Sequence, residues 1–274
     1  MSIIIISSDS YNQGLEIASK VAETMDYTFL GREILNQVAE KYHLPEAKLR
    51  KAMDEMPRSF GMFSKLRKRY LAYIQAATLT ELQKDNVVCQ GLDAHLYVLG
   101  VSHVLKVRIL SDPTLQAQQM ASRMGIPPRK ARKLLARNKK LHQRLSLDFF
   151  HLDETDPSIY ELLISLRRID QEEAVKIITE TVSSQQFKPM TYSNKCMRDL
   201  ELAGRVRAAL LEPFPAVRVS ANSGTLVVES IGLLQGRKKI AAAIKEQAQD
   251  IPGVEYVEVH FSNGFLRRTS ESFY

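Results

Sequence analysis

The chain has 274 residues, 45% hydrophobic and 25% charged, and 38 lysines and arginines against 31 acids give a net charge of +7. This composition excludes a disordered or collagen-like chain, and apolar runs no longer than a strand exclude a membrane-spanning helix. The positive balance favours anionic partners, whether nucleotide phosphates, nucleic acid or lipid headgroups, without choosing among them.

Ile3 to Ile6 form a continuous apolar run, the pattern of a strand buried on both faces of a parallel sheet. A small polar turn, Ser7 to Gly14, leads into Leu15–Met25, whose apolar residues Leu15, Ile17, Ala18, Val21 and Ala22 have helical spacing. A strand, a tight loop and a helix in that order suggest a phosphate cradle. This loop, however, holds one glycine and no lysine or arginine. Residues 27–44 predict a short strand and a helix, and residues 44–85 are mostly helical with a break around Pro57 and Gly61. Residues 86–94 and 103–112 supply two further apolar strands. Three such strands separated by helices indicate an open α/β sheet with crossover connections.

Residues 113–144 are again helical, and Arg129–Arg144 carries eight lysines and arginines without an acid. Residues 158–182 supply a last strand and helix, and the polar, aperiodic stretch 183–195 reads as a linker. A helix, a strand pair around Asn222-Ser223-Gly224, a second helix and a closing alternating strand follow. The asparagine and glycine of that turn suit the positive backbone angles of a tight hairpin. The two cysteines define no disulfide framework, and Cys89, within Val87-Val88-Cys89, reads as a buried inert thiol. The six histidines lack metal-ligand spacing, so no metal site is expected. Met53, Met56 and Met62 read as gap fillers between helices. The N-terminus has no basic start and no long apolar core, so a cytoplasmic location is expected.

Over residues 1–183 the chain resembles the cytidylate kinase-like family of P-loop nucleoside monophosphate kinases. The family loop, I-S-R-E-Y-G-S-G-G-R-E-I-A, aligns without a gap with Ile6–Ala18, and Ile6, Ser7, Gly14, Glu16, Ile17 and Ala18 match. The family's glycine-arginine-glycine turn corresponds to Gly91-Leu92-Asp93 in "VVCQGLDA", and Gly125-Ile126 and Ala131 match the start of its lid. "DPSIYELLISLRRIDQEEAVKII" resembles the family's closing strand and helix. Residues 199–261 separately resemble a BON domain, a binding module of two helices and three strands, through "SGTLVVESIG" and "IPGVEYVEV". The resemblances imply an α/β fold: a P-loop kinase-like parallel sheet flanked by helices, with a second small BON-like domain. They divide the chain into a kinase-like domain at 1–183 with a lid near 125–150, a linker at 184–198, a BON-like domain at 199–262 and a tail at 263–274.

The resemblance carries a candidate nucleotide site onto Ser8, Asp9, Ser10, Tyr11, Asn12, Gln13, Gly14, Leu15 and Glu16, with ATP and magnesium as the implied cofactors. It makes Lys139, Lys140 and Arg144 candidate catalytic lid cations, and Arg32 and Arg58 candidate holders of an acceptor phosphate. Asp9 is placed to order a magnesium through water. The family's two loop arginines are Ser8 and Leu15 here, two loop glycines are Tyr11 and Gln13, and further arginine positions fall at Leu92, Gln116 and His142. Phosphoryl transfer depends on positioning and charge, and each lost donor typically costs about 10²–10³ in rate. The expectation is therefore a nucleotide-binding pseudoenzyme acting as sensor or regulator. The alternatives are an active kinase transferring phosphate from ATP to CMP, and a scaffold attaching through its BON-like part.

For that third reading, Leu233, Leu234, Arg237, Lys238 and Lys239 form a candidate surface for a phospholipid headgroup or a protein partner, peripheral to the membrane. The basic run 129–144 reads as lid, nucleic-acid patch or solvated helix face, and its position favours the lid. Nucleic acid is not an expected partner, because no stacking aromatics accompany the cations. The Lys65–Arg69 cluster reads as a wet helix face.

Overall fold

The computed structural model describes residues 2–54, 62–231 and 236–262. In chain order the elements are β1 (Ile3–Ser8), α1 (Tyr11–Met25), β2 (Thr28–Leu30), α2 (Ile34–Lys41), α3 (Glu46–Asp54), α4 (Met62–Leu82), β3 (Val87–Gln90), β4 (Val104–Leu110), α5 (Pro113–Met124) and α6 (Pro128–Phe150). They continue as β5 (Leu162–Ser165), α7 (Gln171–Val182), α8 (Thr191–Leu210), β6 (Val217–Asn222), β7 (Thr225–Ile231), α9 (Arg237–Gln249) and β8 (Tyr256–Ser262). The chain divides into two compact units, residues 1–56 with 84–190, and residues 57–83 with 191–274.

The first unit is built on a parallel sheet of order β2-β3-β1-β4-β5. All four isoleucines of β1 are 0% exposed, so β1 has no solvent face and its alternating sides both bury apolar surface. Ile4 and Ile6 pack with Val88, Leu105, Val107 and Ile109 of the neighbouring strands and with Ile17, Val21, Ala174 and Ile178 of α1 and α7. Two charged residues, Lys106 and Arg108, occupy the opposite side of β4 and are buried. Asp112 caps α5 by accepting from the backbone N–H groups of Thr114 and Leu115, and Pro113 opens that helix.

The second unit joins an antiparallel pair, β6–β7, to a parallel pair, β7–β8, with α9 as the crossover between them. Leu226, Val228 and Val257 meet Leu202, Val206 and Leu210 of α8 and Ile244 and Ala248 of α9 in its core. The hairpin turn differs from expectation. Asn222 is the last residue of β6, paired with Thr225, while Ser223 and Gly224 carry the positive φ angles of 49° and 79°. A two-residue turn with both φ values positive matches the strand twist, and Asp199 supports it by accepting from the Ser223 backbone N–H.

The unit also takes a helix from the middle of the chain. Instead of lying in one uninterrupted 1–183 domain, α4 packs along α8, with Ala72 in the same core as Leu202 and Val206. Gly204 permits this approach, since a Cβ there would stand 3.0 Å from Leu79. Thr80 donates to Glu201 at 3.0 Å, Arg207 to Gln75 at 3.0 Å and Arg69 to Glu212 at 2.9 Å. The Lys65–Arg69 run is therefore no uniform wet face: Arg67 is 6% exposed and Arg69 is ion-paired. The expected linker 184–198 is also mostly ordered structure, because α8 begins at Thr191. Polar residues hide the start of that helix from a reading of apolar periodicity alone.

Candidate functional site

Within the first unit a cavity of about 1050 Å³ opens at the carboxyl ends of β1, β3 and β4. Ligands of open α/β sheets bind at this edge, beside the strand where successive connections leave in opposite directions. Ser7 and Ser8 at the end of β1, Gln90 at the end of β3 and Arg108 on β4 form its floor. One face of α6, carrying Arg132, Leu135, Ala136, Lys139 and His142, lines the lid side together with Gln116, Met120 and Arg123 of α5.

The turn between β1 and α1 is short: only Asp9 and Ser10 separate Ser8 from Tyr11, so Tyr11, Asn12 and Gln13 are already helical. The Gly14 N–H is spent on the Ser10 carbonyl at 2.9 Å, the Asp9 N–H on Ile109 at 3.1 Å and the Ser10 N–H on the Ser8 hydroxyl at 3.2 Å. The first-turn amides of Tyr11, Asn12 and Gln13 head the helix and give that end a partial positive charge. Gly14 is buried and does not line the cavity. A Cβ there would lie 2.6 Å from Ser8 Cβ, so this glycine serves the contact of α1 with β1.

Two arginines near the turn are engaged by carboxylates of the chain itself. Arg108 donates to the Ser7 hydroxyl at 2.6 Å and to Asp9 at 2.5 Å. Arg32 donates to both oxygens of Asp54, at 3.0 and 2.7 Å, and its guanidinium lies 4.8 Å from the ring centroid of Tyr11. Deeper in, Tyr160 stacks on His95 at 5.3 Å and donates its hydroxyl proton to the Glu154 carbonyl at 2.8 Å. Burial, with Arg108 and Lys106 adding to it, lowers the His95 pKa to about 3, so this imidazole is neutral. Burial raises the Glu154 carboxyl above its ordinary value; Asp93 and Asp9 push the same way while Arg108 and His142 oppose them.

Of the residues expected from sequence, Ser8, Asp9, Ser10, Tyr11, Asn12, Gln13, Glu16, Arg32 and Lys139 line the cavity. Gly14 and Leu15 do not. Lys140 and Arg144 are exposed outside the lining, because successive helix positions diverge by about 100° and the α6 face holding Lys139 excludes them. Arg58, Leu233 and Leu234 lie outside the described residues. Arg237, Lys238 and Lys239 form the first turn of α9, with Arg237 5.4 Å from the Phe261 ring centroid. Arg108, Arg123, Arg132, Gln90, Asp93 and Glu154 also line the cavity and escaped the sequence reading. The signal for Arg108 was present: a strand otherwise apolar, "VLKVRIL", places Lys106 and Arg108 on one side.

The lining includes five cations (Arg32, Arg108, Arg123, Arg132, Lys139) and five carboxylates (Asp9, Glu16, Asp54, Asp93, Glu154), of which Arg32 with Asp54 and Arg108 with Asp9 are ion-paired. The lid side presents cations only, since no acid occurs between Asp112 and Asp148. That side, facing the head of α1, fits a phosphate-bearing ligand, and the cavity is slightly larger than the range of about 300–1,000 Å³ typical of ligand sites. A magnesium ion does not fit the turn equally well: Asp9 is paired with Arg108 and the Ser7 hydroxyl accepts from the same guanidinium. Among the described residues no group of three or more His, Cys, Asp or Glu side chains is arranged to hold a metal, and no helix is long and apolar enough to cross a membrane.

A parallel α/β sheet with a cavity at its carboxyl edge has the layout in which open α/β sheets carry their ligand sites. The chain belongs to the cytidylate kinase-like family, whose profile matches residues 3–168. It is 22% identical over 198 residues to the cytidylate kinase of Saccharolobus islandicus strain L.S.2.15, covering 72% of this chain and 99% of that protein. Among solved structures it is similar to an uncharacterized protein from Eubacterium ventriosum (16% identity, 68% and 100% coverage, TM-score 0.49). It is also similar to the shikimate kinase of Bacteroides thetaiotaomicron (13% identity, 67% and 99% coverage, TM-score 0.41).

Proposed function

We propose that this family member binds a nucleotide at the β1–α1 cavity with impaired or lost phosphoryl transfer, acting as a sensor or regulator. The observation that carries this reading is the turn itself: α1 begins at Tyr11, so the positions where a phosphate cradle would curl around its anion are helical. Backbone N–H groups converging on a phosphate need the curled loop; a helix end offers only its first-turn amides. Leu92, at the family's arginine position in the β3 turn, is 3% exposed and supplies no charge. Gln116, at another arginine position, lines the cavity as a neutral amide. Binding is supported by Arg123, Arg132 and Lys139, which give the lid side its positive field.

The active-kinase reading, with ATP, magnesium and CMP, draws its support from those same three cations. The scaffold reading draws support from the order α8-β6-β7-α9-β8, which has the two helices and three strands of a BON-like module, and from the basic first turn of α9. The deciding experiment is calorimetric titration of the full chain with ATP–magnesium and with CMP, followed by a turnover assay on the same sample. Micromolar heat without product is expected. Heat with product restores the kinase, and no heat with either nucleotide leaves the scaffold.

A further inference from the structure

The eight cations between Arg129 and Arg144 are not one patch, because α6 divides them between two faces. Arg132 and Lys139 line the cavity. The other six, Arg129, Lys130, Lys133, Arg137, Lys140 and Arg144, are exposed and outside the cavity lining. Five of these recur at intervals of three or four residues along α6, the spacing that stacks side chains on one helix face. At a rise of 1.5 Å per residue this ladder is about 22 Å long. Among the described residues none of the six is ion-paired. A lid needs only the cavity-facing pair; the outer ladder has no ion-pair partner among the described residues.

We propose that the outer face of α6 is a sequence-independent docking surface for the phosphate backbone of duplex DNA. A straight row of unpaired cations is complementary to a linear polyanion, and duplex DNA carries one charge per about 1.7 Å of axis. A bilayer surface fits less well. Helices that lie on membranes insert an apolar face, and among the described residues no exposed large hydrophobic side chain falls between Met124 and Leu147. A single strand fits less well too, since such sites stack bases on aromatics, and the chain has no Phe, Tyr or Trp between Tyr97 and Phe149. The duplex backbone requires neither feature. The B-form major groove, about 12 Å wide, also accepts the edge of a helix that the narrow A-form groove of RNA excludes.

The inference goes beyond the nucleotide reading and is tested separately from it. Fluorescence anisotropy of a labelled 20-bp mixed-sequence DNA duplex with the full chain, between 50 and 200 mM KCl, is expected to give log K falling against log salt with a slope of about −5. Lys133→Gln with Arg137→Gln should weaken binding at least tenfold and reduce the slope by about 2. A second pair, Lys130→Gln with Arg144→Gln, should act in the same direction, and circular dichroism of both is expected to match the parent. The Lys133/Arg137 variant should keep the parent's heat with CMP, which separates this surface from the cavity. No binding at 50 mM KCl, an unchanged slope in both variants, tighter binding to an RNA duplex, or binding only to vesicles containing phosphatidylserine would each overturn the proposal.

Discussion

Arg108 and Asp9 form an ion pair across the head of the sheet, 2.5 Å apart, with side chains 10% and 20% exposed. The loop carboxylate is therefore not free to order a cation, and the strand arginine is not free to meet a phosphate. Removing one partner from a buried pair leaves an uncompensated charge, which typically costs about 3–5 kcal/mol. Arg108→Met is expected to lower the unfolding free energy, read from urea denaturation, by an amount near the low end of that range, since neither group is fully dry. Asp9→Asn combined with Arg108→Met should recover much of the loss. Additive costs in the double variant would show that the two residues act independently.

Arg32 presents the opposite case. Its pair with Asp54 is half in water, at 27% and 42% exposure, so it contributes at most about 1 kcal/mol to stability. Its consequence lies in binding, because Asp54 occupies the guanidinium edge that a phosphate would take. Asp54→Asn is expected to leave the melting temperature within a degree or two and to tighten CMP binding several-fold by calorimetry. Arg32→Ala should abolish that gain. A tighter ligand in the Arg32→Ala, Asp54→Asn double variant would place the phosphate elsewhere.

The sheet and its helices were legible in sequence because the isoleucine run and the "NVVCQ" and "VLKVRIL" strands carry their pattern locally. The membership of α4 was not: its buried face looks the same whichever unit receives it, and only its contacts with α8 decide. The candidate site was half legible. Motif alignment found the turn and Lys139, but adjacency in sequence also swept in Lys140 and Arg144, which the helical period turns away from the cavity. Arg132 shares the α6 face of Lys139 at a spacing of seven residues, a local signal that motif alignment passed over, whereas Arg123 and Glu154 reach the site through tertiary folding.

Gly14 tests the reading of the turn. A phosphate-cradle glycine would be needed for the ligand, whereas here the Cβ of Ser8 stands 2.6 Å from where a side chain would start. Gly14→Ala is thus expected to strain the β1–α1 contact and destabilise the fold by about 1–3 kcal/mol. Any loss of CMP affinity should track the fraction unfolded. A variant of full stability with abolished binding would return Gly14 to the ligand site.

The two buried titrating groups act in opposite directions with pH. His95 has a folded pKa near 3 against an ordinary 6.5; the unfolded chain takes up its proton first, so stability falls as pH drops below 6.5, by roughly 1 kcal/mol per unit. Glu154 has a folded pKa above its ordinary 4.5, so the folded state holds the proton more tightly and stability declines as pH rises through the folded value. Glu154→Gln is expected to remove that alkaline decline, while His95→Phe, which keeps a ring against Tyr160, should flatten the acid limb. Protonation of Glu154 also removes a negative charge from the cavity, so Glu154→Gln, which removes that charge at every pH, is expected to tighten CMP binding by calorimetry. Unchanged CMP affinity in Glu154→Gln would show that Glu154 does not face the ligand.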